Sequence, residues 1–125
     1  MQTVLVVDDE EPVRLVVSKM LKRLGYEVLA AADGTEALDL FSRQPEEVCC
    51  VIVDLAMPGM DGQQTFTALR EIRPDAAIIL ATGFEEDEIA RRFEGQDVAA
   101  FIQKPFSAAV LEQKLNEVLH GVRPH

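Results

Sequence analysis

Four charged side chains, Asp8, Asp9, Asp54 and Lys104, each stand where an apolar run predicted to form a β-strand stops. Three carboxylates and one ammonium can hold a divalent cation and act on phosphate, provided that the fold brings them together. Two carboxylates about 5 Å apart repel by roughly 3 kcal/mol at an effective dielectric of about 20, and three make three such pairs. Such a cluster requires positive charge within it. Lys104 offers one unit; a hard cation such as magnesium offers two more and prefers one or two carboxylates, waters and a substrate phosphate to an all-protein cage. A fifth residue, Thr82, ends the run Ile79-Leu80-Ala81-Thr82 ahead of Gly83. Its hydroxyl could donate to a phosphoryl oxygen, although alone it reads equally well as a turn residue.

Positioning these residues falls to continuous apolar runs, the pattern of strands covered by helices on both faces. The runs are Thr3–Val7, Glu27–Ala31, Val48–Val53, Ala77–Ala81 and Ala99–Gln103. Between them, apolar residues recur every three or four positions over Pro12–Leu24, Thr35–Phe41, Gln63–Ile72, Glu86–Phe93 and Ala108–Leu119. Breakers separate the segments at Gly25, Asp33-Gly34, Pro45, Pro58-Gly59, Asp61-Gly62, Pro74-Asp75 and Gly83. Asp33 with Glu36 has the spacing of a capping box, and Ser107 suits an N-cap. The expected fold is α/β: a five-stranded parallel sheet of order 2-1-3-4-5 flanked by five helices, as in flavodoxin-like proteins. Strands one and three are then neighbours at the switch point, where ligands bind beyond the carboxyl ends of the strands. Asp54 faces Asp8 and Asp9 there.

A chain of 125 residues with 48% hydrophobic content fits one domain, 1–125, with no linker or repeat. Its formal charge of −10, from 22 acids and 12 bases, argues against direct nucleic-acid binding and favours basic or metal partners. No apolar stretch approaches the roughly 20 residues that cross a bilayer, and the start lacks the basic residues of a secretory signal. The expectation is no membrane insertion and a cytoplasmic location.

Other residues have plainer readings. Cys49 and Cys50, adjacent in a strand, should point to opposite faces and remain inert thiols. His120 and His125 lie near the C-terminus, far in sequence from the acids. Glu10, Glu11 and Pro12 suit the first turn of a helix, where acids meet the positive end of the dipole. Phe101 reads by default as a core aromatic.

Taken in order, the acidic pair Asp8-Asp9, Asp54, the turn Met57-Pro58-Gly59-Met60-Asp61-Gly62, then Thr82, Phe101 and Lys104-Pro105 resemble a response-regulator receiver domain of two-component signalling, over Val4 to about Leu119. The resemblance implies that Asp54 is the phosphorylated residue, attacking a phosphohistidine of a histidine kinase or phosphotransfer domain to become an acyl phosphate. It implies magnesium, with manganese as a substitute, held by Asp9, Asp54 and the carbonyl of Ala56, with Asp8 acting largely through water. Lys104 and Thr82 would contact phosphoryl oxygens. Thr82 and Phe101 would move together and reshape the surface of the fourth helix, fifth strand and fifth helix. The domain would catalyse its own phosphorylation and dephosphorylation. A cis peptide before Pro105 is also implied.

In such domains the second residues after the acceptor and after the threonine, here Ala56 and Phe84, tune the lifetime of the acyl phosphate; neither can orient a water by side-chain hydrogen bonding and Phe84 could shield the phosphoryl group, so hydrolysis slower than in fast-decaying relatives is expected. The stretch from Thr82 to Phe106 resembles receivers fused to hybrid sensor kinases, while a stand-alone regulator, or one carrying an output module, stays open. So do two other classes. Phosphohydrolases of the haloacid dehalogenase type use aspartate, threonine, lysine and magnesium, but normally carry a second aspartate where this chain has Ala56. A degenerate receiver would bind partners without phosphorylation, against which the intact acids and lysine count.

Overall fold

The computed structural model describes residues 2–56 and 62–120. Among them, strands and helices alternate: β1 (Thr3–Val7), α1 (Glu11–Arg23), β2 (Glu27–Ala31), α2 (Gly34–Arg43), β3 (Val48–Asp54), α3 (Gly62–Ile72), β4 (Ile78–Thr82), α4 (Glu86–Arg92), β5 (Ala100–Gln103) and α5 (Ala108–His120). All pairings are parallel, in the order β2-β1-β3-β4-β5. This is the expected α/β architecture.

Alternation along the strands divides the core between two faces. Leu5, Val7, Val51, Val53, Ile78 and Leu80 pack with Phe41 of α2, Phe66 and Leu69 of α3 and Ile89 of α4. Val4, Val6, Ile52, Ile79 and Ile102 pack with Val17 and Leu21 of α1 and Leu111 and Leu115 of α5. With helices on both faces, the central strands are buried along nearly their whole length, which is why they read as unbroken apolar runs.

Local chemistry ends the helices where the sequence marks them. Asp33 accepts from Glu36 N at 2.8 Å at the start of α2, and Ser107 Oγ accepts from Val110 N at 3.2 Å before α5. Helix α2 runs two residues beyond the expected Phe41, because apolar periodicity reports the buried stripe and Ser42 and Arg43 lie on the wet side. Leu24 and Phe93, expected inside α1 and α4, are their C-caps.

Cys49 and Cys50 depart from strict alternation. Val4 pairs with Cys50 while Thr3 pairs with Val48, so Cys49 is the extra residue of a bulge. Both cysteines therefore pack against the face covered by α1 and α5, not on opposite faces. Burial pushes both thiols above their ordinary value, Cys50 most strongly, which leaves little reactive thiolate. His120 ends α5 and is exposed; His125 and the Met57–Asp61 part of the turn lie outside the described residues. Among the described residues, no helix is long and apolar enough to cross a membrane.

Candidate functional site

Register alone sets most of the site. Val7 pairs with Val53, Asp54 with Ala81, and Thr82 with Gln103. The residues that continue or end these strands, Asp8, Asp54, Thr82 and Lys104, therefore line up along one sheet edge.

Lys104 Nζ lies 3.2 Å from Asp8 Oδ2 and 3.3 Å from Asp54 Oδ2. Asp8 is 5% exposed and Asp54 3%, so this ammonium bridges two carboxylates nearly withdrawn from water. Their other oxygens are held by backbone: Asp8 Oδ1 accepts from Glu10 N at 2.9 Å, and Asp54 Oδ1 from Ala56 N at 3.0 Å. For Lys104, burial alone would favour the neutral amine; the charges of Asp54 and Asp8, with hydrogen bonds to both, outweigh it and hold the ammonium pKa above its ordinary value. The Lys104–Pro105 peptide is cis.

Asp9 is exposed and contributes to a wider cluster, in which one oxygen each from Asp8, Asp9, Glu10 and Asp54 lies within 4.8 Å of the others. Four carboxylates face one lysine. The donors are all oxygen, which suits a hard divalent cation, and the residual negative charge gives such an ion an electrostatic reason to bind.

Thr82, 2% exposed, closes β4. Its hydroxyl accepts from Phe84 N at 3.1 Å, and its carbonyl accepts from Lys104 N at 2.7 Å. Phe101 is half-buried on the face covered by α2, α3 and α4, with its ring 5.9 Å from that of Phe93 and tilted by 56°. Phe93 in turn meets Phe66 edge to face at 6.0 Å. The aromatic expected to respond to the site is thus one of three that link β5, the end of α4 and α3.

Three contacts in the site were not foreseen from sequence. Glu10, read as the start of a helix, occupies the N-cap of α1 without a side-chain capping bond, and its carboxylate joins the acidic cluster. Arg14 Nη1 donates to the carbonyl of Asp8 at 2.8 Å and tethers the acidic turn to α1. Gly62 opens α3 where a Cβ would stand 2.5 Å from both the carbonyl oxygen of Asp54 and the Cα of Leu55. The acid block and the Asp-Gly pair carried signals for the first and third, but nothing in spacing alone marks Arg14.

A family model for the response regulator receiver domain matches residues 4–116. The chain belongs to this family. Among the receiver's curated relatives is the sensor kinase CckA of Brucella abortus, 38% identical over 117 residues, a match covering 94% of this chain and 12% of the kinase. The receiver spans 12% to 52% of the length of the curated relatives it matches. Among solved structures, chemotaxis protein CheY4 of Vibrio cholerae is 33% identical, with a TM-score of 0.85 over 95% of this chain and 99% of the other. The response regulator TrrA of Thermotoga maritima, solved in complex with magnesium and a beryllium fluoride, is 32% identical, with a TM-score of 0.81 over 95% of this chain and all of its own.

Proposed function

We propose that this receiver, spanning the chain from 1 to 125, takes a phosphoryl group from a phosphohistidine onto Asp54 in a magnesium-dependent reaction. The observation that carries the reading is Lys104 Nζ bridging Asp8 and Asp54 from the carboxyl edge of the sheet. A buried carboxylate paired with a cation, next to a surplus of acids, is an acceptor poised beside a cation site. The chemistry needs little covalent machinery, because phosphoryl transfer depends on positioning and on neutralising charge at the phosphoryl oxygens.

In the reaction, an Asp54 carboxylate oxygen bonds to phosphorus as the phosphorus–nitrogen bond of the donor breaks; the electron pair leaves with the imidazole nitrogen, which takes up a proton. Lys104 pivots from the free carboxylate to a phosphoryl oxygen, and the buried Thr82 hydroxyl donates to another. Asp9, Asp54 and the Ala56 carbonyl would hold magnesium, with Asp8 acting through water. When bound, that ion supplies positive charge to the transferring oxygens. Manganese, which shares the preference for oxygen donors, would serve in its place. Water attacking phosphorus in the same pocket breaks its bond to the Asp54 oxygen, releasing inorganic phosphate and returning the free carboxylate, which makes the domain a catalyst of its own dephosphorylation.

The donor is a cytoplasmic histidine kinase or phosphotransfer domain, in the same chain if this receiver is part of a hybrid kinase. An apolar groove of about 440 Å³, lined by Val13, Val16, Met20, Pro105 and Phe106, begins at Lys104 and Pro12 beside the acidic turn. It supports docking of the donor along α1. The added charge of about −1.5 to −2 on a phosphorylated residue would draw Thr82 inward and shift Phe101, reshaping α4, β5 and α5; Lys114 of α5 already reaches Glu86 of α4 at 2.8 Å across that surface. The formal charge of −10 argues against direct nucleic-acid binding by this domain.

The test is incubation with magnesium and acetyl phosphate, followed by intact mass. A gain of one phosphoryl group that Asp54→Asn abolishes is expected. Repeated turnover of small phosphomonoesters would favour a phosphohydrolase, and no modification a receiver that works unphosphorylated.

A further inference from the structure

Beside the acidic pocket lies a second cleft of about 240 Å³, whose walls include Leu55, Ala56, Thr82, Phe84 and Arg92. Its inner side is formed by the backbone that follows Asp54 and by Thr82. Ala56 N bonds Asp54 Oδ1, and Asp54 pairs with Ala81 in the sheet. The cleft therefore opens next to the place a phosphoryl group on Asp54 would occupy.

On the outer side stands Phe84, 48% exposed. A phenyl ring with so much surface in water has little core packing to fix its rotamer. Something else holds this one. The guanidinium of Arg92, in the last turn of α4, lies over the ring face, 4.9 Å from the centroid, within cation–π range. The backbone of Phe84 is fixed by its N–H bond to Thr82 Oγ1. Ring, threonine and arginine thus form one connected unit, running from the site to α4.

We propose that Arg92 is a positioning residue for the lifetime of the phosphorylated state. Stacked on Phe84, it holds the ring across the mouth of the cleft and restricts the entry of water to the acyl phosphate. The inference rests on Asp54 being the phosphorylated residue. Neither Ala56 nor Phe84 brings a side-chain hydrogen-bonding group to orient a water, so exclusion is the means these two residues have of acting on hydrolysis. Any rearrangement of α4 that withdraws Arg92 would release the ring and shorten the signal.

The experiment phosphorylates the full chain with acetyl phosphate and magnesium, removes the donor, and follows decay by intact mass. An exposed cation–π contact biases a ring position by about two- to fivefold. Arg92→Gln should accelerate decay by that factor, and Arg92→Lys, which keeps a cation over the ring, should restore most of the lifetime. Phe84→Ala should accelerate decay at least as much, and adding Arg92→Gln to it should change nothing further, because the arginine then has no ring to hold. Wild-type decay in Arg92→Gln overturns the proposal. Equal acceleration by Arg92→Gln with and without the ring also overturns it, since Arg92 would then act on the phosphoryl group directly. If the wild-type chain gains no phosphoryl group, the assignment of Asp54 fails and this inference falls with it.

Discussion

Replacing Lys104 by methionine keeps the apolar stem and removes the charge that bridges Asp8 and Asp54. Both carboxylates touch the one nitrogen, at 3.2 and 3.3 Å, so their oxygens lie at most about 6.5 Å apart and repel by at least about 2.5 kcal/mol at an effective dielectric near 20. With the lysine gone, that repulsion has no counterweight, and two nearly buried charges lose their partner. Removing one member of a buried pair costs about 3–5 kcal/mol; one partner here, Lys104, keeps a fifth of its side-chain surface in water, which places the expected loss at about 3 kcal/mol. Urea unfolding followed by far-ultraviolet circular dichroism measures it. With a slope of about 1–3 kcal/mol per molar for a small protein, the midpoint should fall by about 1–3 M. Saturating magnesium should recover part of the loss, since a ligand bound only by the folded state stabilises it. An unchanged midpoint in magnesium-free buffer would show that the lysine does not offset the acids, and the electrostatic account of the pocket would fail.

The same lysine gives a pH signature. Its folded pKa is held above the ordinary 10.5, so its contribution is complete below the unfolded value and disappears as pH rises through the folded one. The stability gap between wild type and Lys104→Met should be flat from pH 8 to about 10 and then shrink; a gap that stays constant to pH 11.5 would contradict the pairing. Gly62→Ala forces a Cβ against the Asp54–Leu55 backbone and should cost about 1–3 kcal/mol while slowing phosphorylation more than tenfold; full activity with lowered stability would separate the glycine from the site. Val16, 52% exposed in the groove on α1, can become aspartate without disturbing the core. That change should slow transfer from a phosphohistidine protein at least tenfold and leave transfer from acetyl phosphate intact, whereas equal slowing of both would remove the groove from donor docking.

Much of this was legible in the residues. The strands could be read because burial on both faces makes them apolar throughout, and because a charge ends three of the four runs that meet the site, Asp8 after Val7, Asp54 after Val53 and Lys104 after Gln103, while the neutral Thr82 ends the fourth. The order 2-1-3-4-5 was taken from the doubly wound pattern, and it makes strands one and three neighbours, which brings Asp54 to Asp8. Legibility stopped where tertiary contacts replace periodicity. The bulge at Cys49 comes from a change of register with β1, which no run of side chains encodes. The tether from Arg14 to the Asp8 carbonyl joins a helix to a loop, and an arginine in the first turns of a helix looks the same whether or not it makes such a bond. The stack of Arg92 on Phe84 arises only when the turn after β4 meets the end of α4.

Phosphorus is expected to land on Asp54. An acyl phosphate is reduced by borohydride to an alcohol, so an aspartate that carried phosphorus is converted to homoserine, which peptide mass spectrometry locates. After reaction with a phosphohistidine donor and magnesium, homoserine is expected at position 54, absent when the donor or magnesium is withheld. Homoserine at position 8 or 9 instead, or phosphorus retained on a histidine with Asp54 unreduced, would contradict it.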